Sequence, residues 1–218
     1  MKDLKLLVCS DPHGSDEALE MLSRVAAQER FDAVIVCGDF TTFGTTEYTK
    51  RFLAGFKTRV LAVPGNCDIP ETVSVLEDAD ASVHNVQVDF QGRRFFGFGG
   101  GMPSGSGMPF EIEEDIIERS LRSVAAPEGV MVTHTPAYGF NDLTKRGARL
   151  GSEGILRVAH EFKPVLACAG HVHEGRGRTL SKDTVFLNPG PAKHGYYATV
   201  LLGETVEVEL HEVQLKRR

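Results

Sequence analysis

Five short polar clusters, each at the end of an apolar run, contain the residues of this 218-residue chain that could do chemistry. Between them they offer two carboxylates, one amide and four imidazoles. The set consists of Asp11, His13, Asp39, Asn66, His134, His171 and His173. Mixed nitrogen and oxygen donors of this kind suit divalent transition-metal ions. Because a packed core does not need seven such groups at strand ends, the pattern predicts an enzyme with a two-metal site.

Each cluster taken alone has an ordinary structural explanation. A strand-end aspartate such as Asp11 often closes a turn or caps a helix, and a lone His134 could be a hydrogen-bonded structural histidine. Gly38-Asp39 is a common loop dipeptide. The order and the surroundings of all five clusters together favour the metal site over these separate explanations.

The clusters follow apolar runs of strand length, and helical patterns separate several of these runs. Strands are predicted at residues 4–9, 33–37, 60–63, 83–90, 93–98, 130–133, 165–169, 185–187, 197–202 and 206–210. Helices are predicted at residues 16–29, 48–56, 111–124 and 154–162. The βαβ pattern at the start predicts a parallel sheet. Ligands of such sheets bind beyond the carboxyl ends of the strands, where the first clusters lie.

Two spacing patterns refine this expectation. Gln91-Gly92 separates two apolar runs and predicts a hairpin, so a second sheet with antiparallel pairing begins there. Asp11 and His13 stand two residues apart, as do the histidines of Gly-His-x-His. Since side chains alternate along a strand, each such pair should point the same way and close on one ion.

The composition limits the class of protein. Hydrophobic residues make up 41% and charged residues 25%, which are soluble globular values, and the formal net charge is −6. This balance argues against an all-over nucleic-acid or membrane-binding surface. The first apolar run is too short for a signal peptide, and four widely spaced cysteines fit a reducing cytoplasm. We expect one cytoplasmic domain over residues 1–218, with monomer and homodimer both left open.

The order Asp-x-His, Gly-Asp, Gly-Asn-x-Asp, a lone His after a strand and then Gly-His-x-His resembles the calcineurin-like metallophosphoesterases. The match covers most of the chain. It implies an α/β fold in four αββα layers, with two mixed β-sheets flanked by helices. It also implies that one ion is held by Asp11, His13 and His173, the other by Asn66, His134 and His171, and that Asp39 bridges them.

The same resemblance implies a chemistry. A metal-bridging hydroxide would attack phosphorus, with Asp39, Asn66 and His134 acting through the ions that they hold. Two divalent ions, two aspartates and a hydroxide leave about +1 net charge, which would attract an anionic phosphoester despite the acidic surface. Mn is favoured, and the ligand set also admits Fe, Zn, Ni or Co.

Cys67 departs from the commonest family pattern, which has histidine after the asparagine. A thiol is a weak hydrogen-bond donor and a poorer proton donor to an alkoxide. The change is similar to a subgroup of small bacterial and archaeal members with Gly-Asn-Cys-Asp, several of which look like phosphodiesterases. Cys67 and Asp68 are tentative catalytic residues, although Cys67 could equally be a small packed side chain. His194 is a candidate substitute acid, or else an exposed turn histidine.

Two loops lie near the clusters in sequence. The glycine-rich run 97–109 lacks the Gly-Lys-Ser/Thr of a phosphate cradle and precedes an acidic helix start, so we expect a flexible loop near the site. The run 136–151 contains Lys145, Arg146 and Arg149. It is either a lid whose cations contact the second ester group of the substrate or a solvated loop.

These observations favour a hydrolase of small phosphodiesters, with no nucleic-acid or membrane partner. Three alternatives remain: a phosphomonoesterase of the protein-phosphatase type, a non-catalytic interaction module with the same fold, and a nuclease. The complete set of ligand types argues against the non-catalytic module. The absence of a basic excess argues against the nuclease.

Overall fold

The computed structural model describes residues 3–215, which form two mixed β-sheets flanked by five helices. The strands are β1 (Leu4–Cys9), β2 (Ala33–Cys37), β3 (Arg59–Val63), β4 (Gln87–Phe90), β5 (Arg93–Phe98), β6 (Val130–Thr133), β7 (Leu166–Cys168), β8 (Gly177–Ser181), β9 (Thr184–Asn188), β10 (Tyr196–Leu202) and β11 (Val206–Glu212). The helices are α1 (Asp16–Gln28), α2 (Glu47–Ala54), α3 (Thr72–Asp78), α4 (Glu114–Val124) and α5 (Glu153–Phe162). The predicted α/β class with two mixed sheets is confirmed.

The first sheet has the strand order β11-β10-β1-β2-β3 within the described residues. Strands β1, β2 and β3 are parallel, as the βαβ pattern predicts, and β10 and β11 pair antiparallel on the other side of β1. Because the three parallel strands run in one direction, their carboxyl ends meet at one edge of the sheet.

The second sheet has the order β4-β5-β6-β7-β9-β8 in the same range. Its central strands β5, β6, β7 and β9 are parallel, and the hairpins β4–β5 and β8–β9 are antiparallel. The predicted hairpin turn is confirmed, with left-handed φ angles of 49° at Gln91 and 81° at Gly92. A two-residue turn with both φ values positive matches the twist of the strands it joins.

The main core lies between the two sheets. Leu6 and Ile35 of the first sheet are fully buried in one cluster with Phe95 and Val132 of the second. The outer faces are equally apolar: Leu22 of α1 and Phe52 of α2 cover the first sheet. Helices α4 and α5 cover the second sheet. Strands covered on both faces read as continuous hydrophobic runs, which is why β1, β2 and β6 could be recognised.

Some predicted bounds are wrong for local reasons. Residues 83–86 are not part of β4, because Asn85 takes a left-handed φ of 57° and the strand begins only at Gln87. Helix α4 begins at Glu114, since Glu113 has an extended ψ of 141°. Helix α3 and strand β8 were missed. Both are short, and neither α3 nor the polar, mostly exposed β8 carries a clear periodic signal.

Candidate metal centre

Every predicted metal ligand lies in a connection that leaves the carboxyl end of a parallel strand. Strands β1, β2 and β3 of the first sheet lead to the four side chains of Asp11, His13, Asp39 and Asn66. Strands β6 and β7 of the second sheet lead to the three imidazoles of His134, His171 and His173. The facing edges of the two sheets therefore bring together residues that are up to 162 positions apart.

The backbone reaches these positions in a way that strand alternation does not describe. Asp11 and His13 lie beyond β1 with φ angles of 54° and 48°, and Asp39 and His171 have φ angles of 54° and 64°. Asp11 and His13 do converge, but not because they share a strand, so that reason was wrong. The expectation that His171 and His173 close on one point is also wrong, because His171 turns to Asn66 and His173 to Asp11. Left-handed non-glycine residues cost about 1–3 kcal/mol each and are concentrated at functional sites.

Asp11, His13 and His173 form one cluster, with a ligand atom from each within 4.8 Å of the others. The carboxylate Oδ1 of Asp11 is 3.3 Å from Nε2 of His173. The Nε2 atoms of His13 and His173 are 3.4 Å apart. Two ring nitrogens and a carboxylate oxygen that converge on one point are a donor set that a divalent cation would satisfy.

Asn66, His134 and His171 form a second cluster around the amide oxygen of Asn66. This oxygen lies 2.8 Å from Nε2 of His134 and 2.9 Å from Nδ1 of His171. The other ring nitrogen of His134, Nδ1, is 2.7 Å from the carbonyl oxygen of Cys37, so it must donate there. This bond fixes the ring so that a neutral His134 directs the Nε2 lone pair into the cluster, as in metal-binding histidines.

Asp39 lies between the two clusters. Its Oδ1 is 3.4 Å from Nε2 of His134, and its Oδ2 is 3.7 Å from Nε2 of His13. The backbone N–H of Cys67 donates to Oδ1 at 2.8 Å and holds the carboxylate in place. Gly65 allows this approach, because a Cβ atom there would overlap Oδ1. Asp39 is thus a carboxylate in reach of both ligand groups, and Asp11 also places an oxygen within 4.8 Å of ligand atoms of Asp39 and His134.

The electrostatics of the centre favour bound positive charge. Burial alone would raise the pKa of Asp39, but the rings of His134 and His13 and the N–H of Cys67 lower it overall. Burial opposes a charged His134, yet Asp39 and then Asp11 raise the pKa of this ring to about 9. Burial and the charge of His134 disfavour the protonated form of the neighbouring His171 and lower its pKa to about 4. The carboxylates therefore stabilise a cation at the position of His134, and the donor atoms fit divalent metal ions.

Thr42 is a site residue that the sequence reasoning missed. Its hydroxyl lies 2.8 Å from Nδ1 of His13, on the side of the ring opposite the cluster. When Nδ1 donates to this hydroxyl, Nε2 keeps its lone pair for a cation, and the ring is held in one orientation. A threonine three residues after Asp39 carries no signal of its own, because the contact forms only when the loops after β1 and β2 meet.

Asp68, a tentative catalytic residue, contacts backbone groups of two loops. Its two oxygens accept from the backbone N–H groups of Phe40, Thr41 and Gly65 at 2.8–3.1 Å. The side chain is fully buried, and burial together with Asp39 raises its pKa to about 6. Asp68 therefore ties the loop after β2 to the loop after β3, and no contact to the ligand clusters supports a direct part in chemistry.

Cys67 and His194 lie at the edges of the centre. Cys67 is half-buried, and burial and Asp39 raise the pKa of its thiol. Its Sγ is 4.0 Å from Sδ of Met108. The exposed His194 places its ring centroid 6.3 Å from that of His173. Both tentative residues are therefore near the candidate ligands. His194 is an exposed histidine in a turn.

The two predicted loops, 97–109 and 136–151, differ in what they contact. Gly101 of the run 97–109 packs against Asn66, whose carbonyl oxygen accepts from the N–H of Phe110 at 3.2 Å. The run 136–151 is anchored by the buried Asp142, which accepts from Gly139 N–H at 2.9 Å and pairs with Arg149 at 2.5 Å. The loop 136–151 is thus held in shape by hydrogen bonds and an ion pair between its own residues.

The comparisons with known proteins agree with this geometry. A family model described as calcineurin-like phosphoesterase matches residues 4–175. The chain belongs to the calcineurin-like phosphoesterase family. The matched range contains both clusters and Asp39, so this phosphoesterase belongs to a metal-dependent family of hydrolases. Within residues 3–215, its helices are too short or too polar to cross a bilayer.

Three similar proteins place the phosphoesterase among its relatives. An uncharacterized protein of Methanocaldococcus jannaschii is 29% identical over 210 residues, covering 91% of this chain and 94% of that protein. A structure described as a novel archaeal phosphodiesterase has a TM-score of 0.57 at 17% identity and covers 95% of this chain and 100% of its own. A dimetal phosphatase from Danio rerio has a TM-score of 0.60 at 12% identity, with 97% of each chain covered. At these identities the two structures share the fold with this phosphoesterase.

Proposed function

We propose that this phosphoesterase hydrolyses small phosphodiesters at a centre that holds two divalent transition-metal ions, with Mn favoured. The observation that carries the proposal is the position of Asp39, in reach of His13 on one side and His134 on the other. A carboxylate between two separate donor clusters suits a pair of ions better than a single ion.

The residues assigned to the ions follow the two clusters. Asp11, His13 and His173 would hold one ion, Asn66, His134 and His171 the other, and Asp39 both. When bound, such a pair lowers the pKa of a shared water, polarises phosphoryl oxygens and supports in-line displacement. The chain itself keeps the ligands in position, because Cys37 and Thr42 orient two of the rings and Asp68 ties two of the loops.

The preference for diesters rests on the residue at position 67. A leaving alkoxide needs a proton, and a thiol with a raised pKa beside Asp39 is a poor source of one. A diester also carries one negative charge where a monoester carries up to two, which suits a centre of low net positive charge. The archaeal structure described as a phosphodiesterase has the same fold.

The rim of the centre could bind the second ester group of such a substrate. Lys193 follows the buried Ala192, and its backbone N–H donates to the carbonyl oxygen of Asp11 at 3.3 Å. Partial burial, followed by the charges of Lys193, His173 and Lys145, lowers the pKa of His194. Cations from the 136–151 loop and from the turn after β9 therefore face the same opening, as a second anionic or polar substituent would require.

Phosphomonoester hydrolysis is the second candidate, and one observation favours it. His194 lies beside His173 at the rim and could supply the proton that Cys67 does not. The dimetal phosphatase from Danio rerio shares the fold. A neutral His194 would have to gain a proton before it donated, so this activity should rise as the pH falls toward the pKa of the ring.

Hydrolysis of two aryl esters by the full chain, freed of metal and reloaded with Mn²⁺, tests the proposal. We expect a bis-aryl phosphate to be cleaved faster than the aryl monoester, and we expect chelation to abolish both activities. The Cys67→His variant should shift the ratio toward the monoester, and Cys9→Ala should leave it unchanged. An Mn²⁺-loaded protein that leaves the diester intact would contradict the diesterase assignment.

The setting of the enzyme is part of the same proposal. All four cysteines, which lie within residues 3–215, are unpaired, and this supports a reducing compartment such as the cytoplasm. We propose that the chain acts as one domain on small phosphoesters, without a nucleic-acid or membrane partner. Size-exclusion chromatography with light scattering would distinguish the monomer from the homodimer.

A further inference from the structure

A third group of donor atoms overlaps the two ligand clusters. His13, Asp39 and Cys67 each place one nitrogen, oxygen or sulfur atom within 4.8 Å of the other two. His13 and Asp39 are already assigned to the proposed ions, but Cys67 is not. The sulfur atom therefore stands beside two ligands that would share an ion, at separations that small side-chain rotations would close.

The local structure holds Cys67 in this position. Its backbone N–H donates to Oδ1 of Asp39 at 2.8 Å, so the residue moves with the carboxylate between the clusters. On its other side, Sγ lies 4.0 Å from the thioether of Met108 and 3.8 Å from Nδ2 of Asn66. Two sulfur atoms thus line one wall of a centre whose other donors are nitrogen and oxygen.

Cys67 also differs from the other cysteines in access. Cys9, Cys37 and Cys168 are buried in the cores, whereas Cys67 is partly exposed. A buried core thiol acts as a small hydrophobic side chain. Cys67 instead places its sulfur beside imidazole and carboxylate groups that converge.

We propose that Sγ of Cys67 is a further ligand of the ion shared by His13 and Asp39 whenever that ion is thiophilic, such as Co²⁺ or Zn²⁺. This inference rests on the proposed metal centre. The step is an exchange without oxidation: the S–H bond breaks, the proton goes to solvent, and the sulfur–metal bond forms with the electron pair of the thiolate.

The softness of the ion makes this binding conditional. Mn²⁺ prefers oxygen and nitrogen donors, so it would leave the sulfur of Cys67 unbound. A thiophilic ion neutralises the nearby carboxylate and takes the place of the proton. The same centre should therefore use seven side chains with Mn²⁺ and eight with Co²⁺ or Zn²⁺.

Cobalt provides a direct test, because a thiolate bound to Co²⁺ gives a sulfur-to-metal charge-transfer band in the near ultraviolet. We expect this band when the metal-free full chain is titrated with Co²⁺, and we expect its loss in Cys67→Ser. The Cys9→Ala variant, which removes a buried thiol outside the cluster, should keep the band. The visible ligand-field bands of Co²⁺ report binding at the centre independently of sulfur.

A thiol-reactivity measurement gives a second readout. Cys67 should be the one thiol of the native chain that a disulfide reagent can reach, because the other three are buried. Bound Co²⁺ should suppress its reaction, and Mn²⁺ should not. Ligand-field bands without a Cys67-dependent charge-transfer band would overturn the proposal and leave the two-metal centre intact. Failure of Co²⁺ to bind at all would also overturn the proposal, and Mn²⁺-dependent hydrolysis by the same preparation would then decide separately whether the two-metal centre stands.

Discussion

The two ends of the sheet sandwich differ in how their polar groups are arranged. The end opposite the candidate metal centre has a cleft of about 1210 Å³, lined by charges of both signs such as Arg93, Arg178 and Glu204. Of these groups, Arg93 has an ordinary partner, because its guanidinium donates to the carbonyl oxygen of Gly203 at 2.7 Å. At the centre, by contrast, ring nitrogens and carboxylate oxygens face one another 3.3–3.7 Å apart. The convergence of donor atoms identifies the functional end, and cavity volume does not.

Strand direction explains the difference. The central strands of both sheets are parallel, so all their carboxyl ends open into loops at one end of the sandwich. Polar side chains can be gathered there from many loops without disturbing the core. The opposite end receives only the returning connections and the hairpins, among them the exposed Leu180 of β8.

The largest effect should come from Asp39→Asn, which keeps the shape of the side chain and removes its charge. Both clusters lose a ligand, so metal affinity and kcat/KM should fall more than about a hundredfold, beyond the 10- to 100-fold typical of outer partners. Asp183→Asn at the opposite cleft is the matched control and should change neither. Calorimetric titration with Mn²⁺ measures the affinity. An equal loss of Mn²⁺ affinity in Asp39→Asn and Asp183→Asn would contradict the assignment of metal binding to one end of the sandwich.

Asp68→Asn should lower stability more than it lowers the intrinsic chemistry. Asparagine keeps one acceptor oxygen, and its NH2 group cannot accept, so at least one of the three backbone N–H groups that Asp68 now satisfies loses its partner. Each buried donor left unpaired costs about 1–3 kcal/mol. Urea unfolding should show this loss in the metal-free protein. If stability were unchanged while catalysis collapsed, Asp68 would be a catalytic residue after all.

Thr42→Val should show how much metal affinity depends on the orientation of the His13 ring, because the variant keeps His13 and removes only its hydrogen-bond partner. Without the hydroxyl, Nδ1 loses its partner and the ring can turn, so we expect a 10- to 100-fold loss of metal affinity. Because Thr42 is exposed, its replacement should leave the free energy of unfolding almost unchanged. Thr42→Ser keeps the hydroxyl and should restore binding; a Ser variant as weak as the Val variant would contradict the role given to this bond.

His84 should make the glycine-rich side of the centre sensitive to acid. Burial lowers the pKa of this ring to about 4, and its Nδ1 accepts from Gly99 N–H at 2.9 Å. In the unfolded chain the ring of His84 binds a proton near pH 6.5, and in the folded protein only near pH 4. The contribution of the neutral ring to the free energy of unfolding is therefore fully present above pH 6.5 and is lost as the pH falls from 6.5 to 4. At pH 5 the loss is about 2 kcal/mol. His84→Gln should flatten the pH dependence of urea unfolding between pH 7 and 5, and an unchanged slope would show that His84 is not responsible.

The smallest effect should come from Leu180→Ser at the opposite end. Leu180 is 70% exposed, and such surface changes usually alter stability by less than about 0.5 kcal/mol. Hydrolysis and Mn²⁺ binding should match the parent protein. A clear loss of activity in steady-state assays would mean that the large cleft takes part in function.

The convergence of the predicted side chains and most of the fold could be predicted from the sequence, and the reasons are physical. Residues such as Asp39 and His134 follow strands that are apolar on both faces, so both the strand and the polar residue after it stand out. Contacts that form only after folding could not be predicted. Thr42 meets His13 across 29 residues, and Asp68 meets the loop after β2 across 27–28 residues. The left-handed backbone at Asp11 and His13 was also invisible, since neither residue is a glycine.

The central claim is that two cations are held between Asp11 and His173 on one side and Asn66 and His134 on the other. Anomalous diffraction at the manganese edge, from crystals of the full chain soaked in Mn²⁺, tests it most directly. We predict two separate peaks, with Asp39 contacting both. A single peak, or peaks only at the opposite cleft, would contradict the claim.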